Sequence, residues 1–188
     1  MVNIEEKIFE FLNTIDFDIT HDLGHIIRVT YNARIICEKE GGNLEIVTFA
    51  ALLHDIAKKD EVDGKIKDHA LEGAQRAEEF LNKLNYKNAS DVAFCIASHK
   101  LRKTNILEAN ILIDADKLDL LGYTGLSRIL MNKKRKSIEE NIEYIEKKIL
   151  KIPQNMNTET AKNIALKKIK VIEDFLNNIK IEIKNTYR

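Results

Sequence analysis

Apolar residues recur three and four positions apart along most of the chain, the repeat of helices that bury one face. Val2, Ile4, Ile8, Phe9 and Leu12 mark a short first helix. Leu23, Ile26, Ile27, Thr30, Ala33 and Cys37 predict a second over residues 23–40, closed by Gly41-Gly42, since glycine readily takes the left-handed conformation at a helix end. Residues 44–57 are apolar nearly all round, which predicts a central, buried helix. The segment KKDEVDGKIKD that follows reads as a charged loop. Further helical segments are predicted over 69–84, 88–99, 105–120, 138–150 and 158–184. Pro153 separates the last two, and Asn157 or Thr158 is placed to cap the final one.

Composition sharpens the fold class. One proline and seven glycines in 188 residues are too few for the many turns of a sandwich or barrel. The expectation is a single all-α domain over 1–188. Thirty Lys+Arg balance thirty Asp+Glu, so no bulk charge draws the chain to nucleic acid or to an anionic membrane. The run Lys133-Lys134-Arg135-Lys136 reads as a solvated loop. No apolar stretch approaches the roughly 20 residues of a membrane span, and the acidic start carries no secretory pattern. Cys37 and Cys95 sit in apolar helical patterns and read as buried thiols. These features predict a cytoplasmic protein.

The polar residues that interrupt apolar patterns are the candidates for chemistry. All five histidines fall between positions 21 and 99, which chance would give about one time in a hundred. His54-Asp55 closes the apolar run AALLHDIA; two polar groups there need partners, either as a hydrogen-bonded helix end or as adjacent metal ligands. His21 and His25 lie one helical turn apart on one face, with Arg28 following. Asp114, Asp116 and Asp119 crowd the apolar stretch ILIDADKLDLLG. Buried together they would repel, and a cation would remove the repulsion; alternatively one or two face solvent. Asp116 and Asp119 share a face and Asp114 does not. His69 opens one predicted helix and His99 closes another, positions that a simple helix-terminal role would also explain.

In order, His25, His54-Asp55 and Asp116 resemble the H…HD…D signature of the HD superfamily of metal-dependent phosphohydrolases. The blocks HDLGHIIRV, AALLHDIAK, DHALEGAQRA, IASHK and DADKLDLLGYTGLSR fall in the order of its small stand-alone bacterial and archaeal members. The resemblance implies a single-domain helical bundle of the HD type, with a motif-bearing core at about 20–130; about 136–188 carries no such motif and is expected to form packing helices. It places His25, His54, Asp55 and Asp116 at the metal. It assigns His69, His99 and Lys58 to catalysis, the two histidines at phosphate or a second ion, and Lys58, His21 and Arg128 to substrate binding. Some family nucleotidases use a Glu shortly after the His-Asp pair; none is identified here, and the general base is unassigned.

Two imidazoles and two carboxylates suit a borderline divalent ion such as Mn, Co, Ni, Fe or Zn better than Mg. One ion is expected, with room for a second. The implied activity is hydrolysis of a nucleotide or other small phosphate ester or anhydride through a metal-activated water, with no nucleic-acid or membrane partner. A homo-oligomer is left open. Two other readings share the scaffold: a di-iron oxygenase, distinguished by two irons per chain and an oxygen-dependent reaction, and a non-catalytic nucleotide sensor, distinguished by binding without turnover.

Overall fold

The computed structural model describes residues 3–132 and 134–186; for Thr186 only the backbone is described. Among the described residues ten α-helices run in order: α1 Ile4–Leu12, α2 Leu23–Glu40, α3 Leu44–Leu53, α4 Lys58–Val62, α5 His69–Lys83, α6 Ala89–Ser98, α7 Leu107–Leu118, α8 Gly122–Met131, α9 Ile138–Lys147 and α10 Glu159–Thr186. No strand occurs among the described residues. The all-α expectation holds.

Helix α3 is the axis. Every residue from Ile46 to Leu53 is buried, which is why its pattern is apolar all round. Helices α1, α2, α5, α6 and α7 pack around it, α5 lies along α6, and α10 crosses α2, α7 and α8. Small residues let α5 approach closely: Gly73, Ala74 and Ala77 are buried, and a Cβ added to Gly73 would lie 3.5 Å from the backbone oxygen of His54. Cys37 and Cys95 are buried free thiols. Among the described residues six helices start on side-chain caps: Asn3 for α1, Asp22 for α2, Asn43 for α3, Asp68 for α5, Ser137 for α9 and Thr158 for α10.

The structure departs from the expected elements in four places. The central helix ends at Leu53, not at 57. His54 Nδ1 donates to the carbonyl of Ala51 at 2.8 Å, and that carbonyl is the one a continuing helix would offer to the backbone N–H of Asp55. The side chain thus ends the helix and turns the chain at Asp55. Residues 58–62 form the short helix α4 where a loop was expected. Helix α8 forms over residues for which the pattern predicted no element. Gly122 takes a positive φ of 72° at its start, and Gly125 lies inside it, where a Cβ would clash with the backbone of Leu120. Residues 149–155, between α9 and α10, form two 3-10 turns, the second opened by Pro153.

The basic run is not uniformly solvated. Arg135 donates to Asn141 Oδ1 at 2.7 Å and to the carbonyl of Ile129 at 2.7 Å, and lies 4.2 Å from the centre of the Tyr144 ring. Lys133 and Val2 lie outside the described residues. No helix among the described residues is long and apolar enough to cross a membrane.

Candidate metal centre

The polar cluster is assembled from helix ends. His25 lies in the first turn of α2, where the Asp22 cap holds its backbone N–H at 2.8 Å. His54 ends α3, and Asp55 sits in the turn beyond it. His69 is the first residue of α5. His99 ends α6, and Asp116 lies in the last turn of α7. Three C-terminal helix ends (α3, α6, α7) converge here, and their partial negative charge favours a cation.

All five histidines meet. Ring contacts run His21–His25 (5.4 Å between centroids), His25–His54 (5.3 Å), His54–His99 (5.4 Å) and His99–His69 (5.1 Å). Four of these rings are fixed alike through Nδ1. The partner of His25 is Asp119 Oδ2 at 2.8 Å, that of His69 is Glu61 Oε2 at 2.8 Å, and those of His54 and His99 are the carbonyls of Ala51 at 2.8 Å and Ile96 at 2.6 Å. With Nδ1–H donating to oxygen, Nε2 faces inward on each neutral ring.

Asp55 divides the cluster. Its Oδ2 lies 3.6 Å from His25 Nε2 and 3.4 Å from His54 Nε2, and His25 Nε2 lies 3.5 Å from Asp116 Oδ1. Its Oδ1 lies 3.2 Å from His69 Nε2 and 3.7 Å from His99 Nε2. One group of donors is therefore His25, His54 and Asp116, and a second is Asp55, His69 and His99, with Asp55 reaching both.

A cation fits the first group. His25 Nε2 and His54 Nε2 are buried and have no hydrogen-bond partner among the described residues. Leaving such nitrogens unpaired is costly, and an ion bound by both removes the cost. Donor atoms about 2.0–2.2 Å from one ion sit about 2.8–3.6 Å apart at octahedral to tetrahedral angles; the observed separations of 3.4, 3.5 and 3.6 Å lie at the upper end of this range.

The electrostatics divide the rings in two. Burial pushes His54 and His99 below the ordinary imidazole value, which favours the neutral ring. Burial acts the same way on His25, but the Asp119 and Asp55 carboxylates outweigh it and hold its pKa at about 9. His69 is also raised, as Asp55 and Glu61 outweigh its burial. For Asp55 and Asp116, burial is outweighed by the surrounding imidazoles, which lower both carboxyl groups.

The other expected site residues take varied places. Lys58 opens α4 and donates to Glu61 Oε2 at 2.6 Å, with His69 Nδ1 at 3.3 Å. His21 Nδ1 lies 3.0 Å from Asp18 Oδ1. His21 and Lys58 line a cavity of about 340 Å³ together with Asn132 and Lys134. Arg128 was expected at the substrate, yet it donates to the carbonyl of Thr20 at 2.6 and 2.9 Å and to Asp119 Oδ2 at 2.8 Å. It ties α8 to the loop before α2 and to the carboxylate behind His25, so its geometry is that of a support. Asp114 faces away from the cluster and accepts from the backbone N–H groups of Asn157 and Thr158 and from the Thr158 hydroxyl.

Three neighbours of the cluster carry no assigned role in the sequence reading. Asp119, 1% exposed, accepts from His25, from Arg128 and from Arg28 Nε at 2.8 Å. Its i, i+3 relation to Asp116 was the visible signal; its partners in α2 lie 91 and 94 positions away. Arg28 was visible only as a helical neighbour of His25. Glu61 was hidden because its segment reads as a loop, but helix α4 sets it one turn from Lys58 and against His69.

The HD domain family matches this chain over residues 22–121, more than half its length. The uncharacterized protein YpgQ of Bacillus subtilis (strain 168) is 26% identical over 186 residues, covering 87% of this chain and 84% of that protein. The crystal structure of YpgQ in complex with ADP is similar with a TM-score of 0.75 at 25% identity, over 95% of this chain and 97% of the other. A predicted HD superfamily hydrolase from an uncultured Thermotogales bacterium gives 0.73 at 27% identity, over 96% and 99%. With the ordered His, His-Asp and Asp residues converging in space and the matched segment spanning all of them, the chain belongs to the HD domain family.

Proposed function

We propose that the chain is a metal-dependent phosphohydrolase acting on a nucleotide or another small phosphate ester or anhydride. The observation that carries this reading is the pair of buried, partnerless nitrogens, His25 Nε2 and His54 Nε2, beside the carboxylates of Asp55 and Asp116. These four residues would hold one divalent ion; Asp55, His69 and His99 offer donors for a second. Such an ion supplies positive charge against phosphoryl oxygens and acidifies water. The mixed nitrogen and oxygen donors favour Mn, Co, Ni, Fe or Zn over Mg.

The chain's own residues account for the rest. Nδ1 contacts to Asp119, Ala51, Glu61 and Ile96 fix the ring orientations in advance, so little reorganisation is left for the reaction. Lys58 sits at the wall of the His21-lined cavity, where its ammonium can turn from Glu61 to a phosphate oxygen. His69, whose pKa Asp55 and Glu61 raise against its burial, is placed to give a proton to a leaving oxygen when no second ion takes its nitrogen. The nucleotide class is supported by the relative YpgQ, whose structure holds ADP.

The test is phosphate release from a panel of nucleotides and simple phosphate esters with each divalent ion, alongside metal content. His54→Ala should lose metal and turnover together. His99→Ala should keep the first ion and lower turnover about 10²-fold or more. ADP binding without turnover under any ion, or an oxygen-dependent reaction with two irons per chain, would overturn the proposal.

A further inference from the structure

A second cavity, of about 440 Å³, lies where the ends of α6 and α7 face α9 and the 3-10 turns. Its charged lining residues are Lys100, Arg102, Lys117 and Lys148, with no carboxylate among them, although the whole chain is neutral. Four like charges around one hollow repel unless an anion joins them. Lys100 is neutralised, by Asp68 Oδ2 at 3.1 Å and Glu61 Oε1 at 3.4 Å. Among the described residues the one hydrogen bond of Lys117 Nζ is to the carbonyl of Asn155, at 3.3 Å, with the charges of Asp114 and Asp116 also acting on it. The side chains of Arg102 and Lys148 make no hydrogen bond or ion pair among the described residues.

The buried Ile149 and Ile152 form an apolar floor with Leu120, and Leu101 and Tyr144 also line the hollow. A cationic rim over an apolar floor suits a molecule that carries phosphate at one end and a flat, weakly polar ring at the other. The hollow is also joined to the metal centre. Lys100 follows His99 in the chain, Lys117 follows Asp116, and Lys100 shares Glu61 with His69 and Lys58.

We propose that this cavity is a phosphate-recognition site for a nucleotide-like ligand, separate from the His21–Lys58 cavity, with Arg102 and Lys148 binding the phosphates and the apolar floor receiving the ring. Two sources have this chemistry: the far end of a molecule whose other end lies at the metal centre, or a second, independent nucleotide.

The experiment is calorimetric titration of ADP into the full chain in its metal-loaded form, comparing wild type with Arg102→Gln/Lys148→Gln. Neither residue touches the metal cluster, and circular dichroism checks the fold. Affinity should fall about tenfold or more, or one of two bound equivalents should vanish. Arg102→Lys/Lys148→Arg should bind within about threefold of wild type, because charge is kept. If one molecule spans both places, KM for the hydrolysed nucleotide rises with the loss of affinity, and more than kcat changes. If a second nucleotide binds, the extra equivalent disappears and KM stays. An ADP titration of the Gln variant that matches wild type in affinity and stoichiometry overturns the proposal, as does a wild type that takes up no ADP. Wild type that binds ADP but turns nothing over overturns the hydrolase reading alone.

Discussion

Asp119 shows most clearly how one side chain can govern the centre without facing the ion. It is buried, fixes His25 through Nδ1, and is itself held by Arg28 and Arg128. Asp119→Asn keeps the shape but removes the charge that orients and polarises the imidazole. Metal affinity should fall about 10–100-fold, measured by metal titration, with the helical content unchanged. An unchanged affinity would return Asp119 to a purely structural role. His25 also sets a pH dependence. Its pKa, about 9 in the fold against 6.5 in a free side chain, is a raised value. The stability it adds to the metal-free protein is therefore complete below 6.5 and lost as pH rises through 9. A bound ion displaces that proton, so its stabilisation grows over the same interval. The gap in thermal midpoint between loaded and metal-free protein should widen from pH 6.5 to 9; a constant or narrowing gap contradicts this account.

At the scale of elements, α7 does two separable jobs from one turn. Asp116 faces the metal centre, whereas Asp114, 0% exposed, caps the start of α10 through Asn157 and Thr158. Asp114→Ala leaves those buried donors unpaired and should cost roughly 2–4 kcal/mol in denaturant unfolding while metal affinity stays. Asp116→Ala should show the reverse, weak metal binding with a small change in the metal-free stability. The turn from α7 to α8 depends on Gly125, since a Cβ there would clash with the carbonyl group of Leu120. Gly125→Ala must push α8, and with it Arg128, away from Asp119. The expected result is a lower melting temperature together with weaker metal binding, although Gly125 is not a ligand.

For the whole molecule, the centre ties α2, the α3–α4 turn and α7 together, with α5 and α6 closing the second group of donors. An ion at 100 times its dissociation constant stabilises by about 2.7 kcal/mol. In a domain of this size that corresponds to a rise in melting temperature of roughly 5–10 °C. Thermal scans with and without metal should show it, and His54→Ala should abolish it. No rise with any of the proposed ions would mean that these side chains do not act as a metal site.

The sequence alone determined the helical class, because period and composition are local properties: every turn of an amphipathic helix repeats the same signal. It also determined which side chains to suspect, since His25, His54, Asp55, His69, His99 and Asp116 interrupt apolar patterns or stand at predicted helix ends. The resemblance supplied their order, and the fold brought them together. What tertiary structure decided was direction and partnership. The residue after an apolar run can continue a helix or end it; the His54 contact with Ala51 chose the latter. Arg128 looked like a residue for substrate and is spent on Thr20 and Asp119. Asp114, Asp116 and Asp119 are equivalent as letters, but rotation of 100° per residue about α7 sends them to a cap, to the metal centre and to the support behind His25. Glu61 became visible only when α4 formed. Each of these outcomes depends on groups far apart in the chain that approach within about 3 Å, and no local pattern encodes that approach.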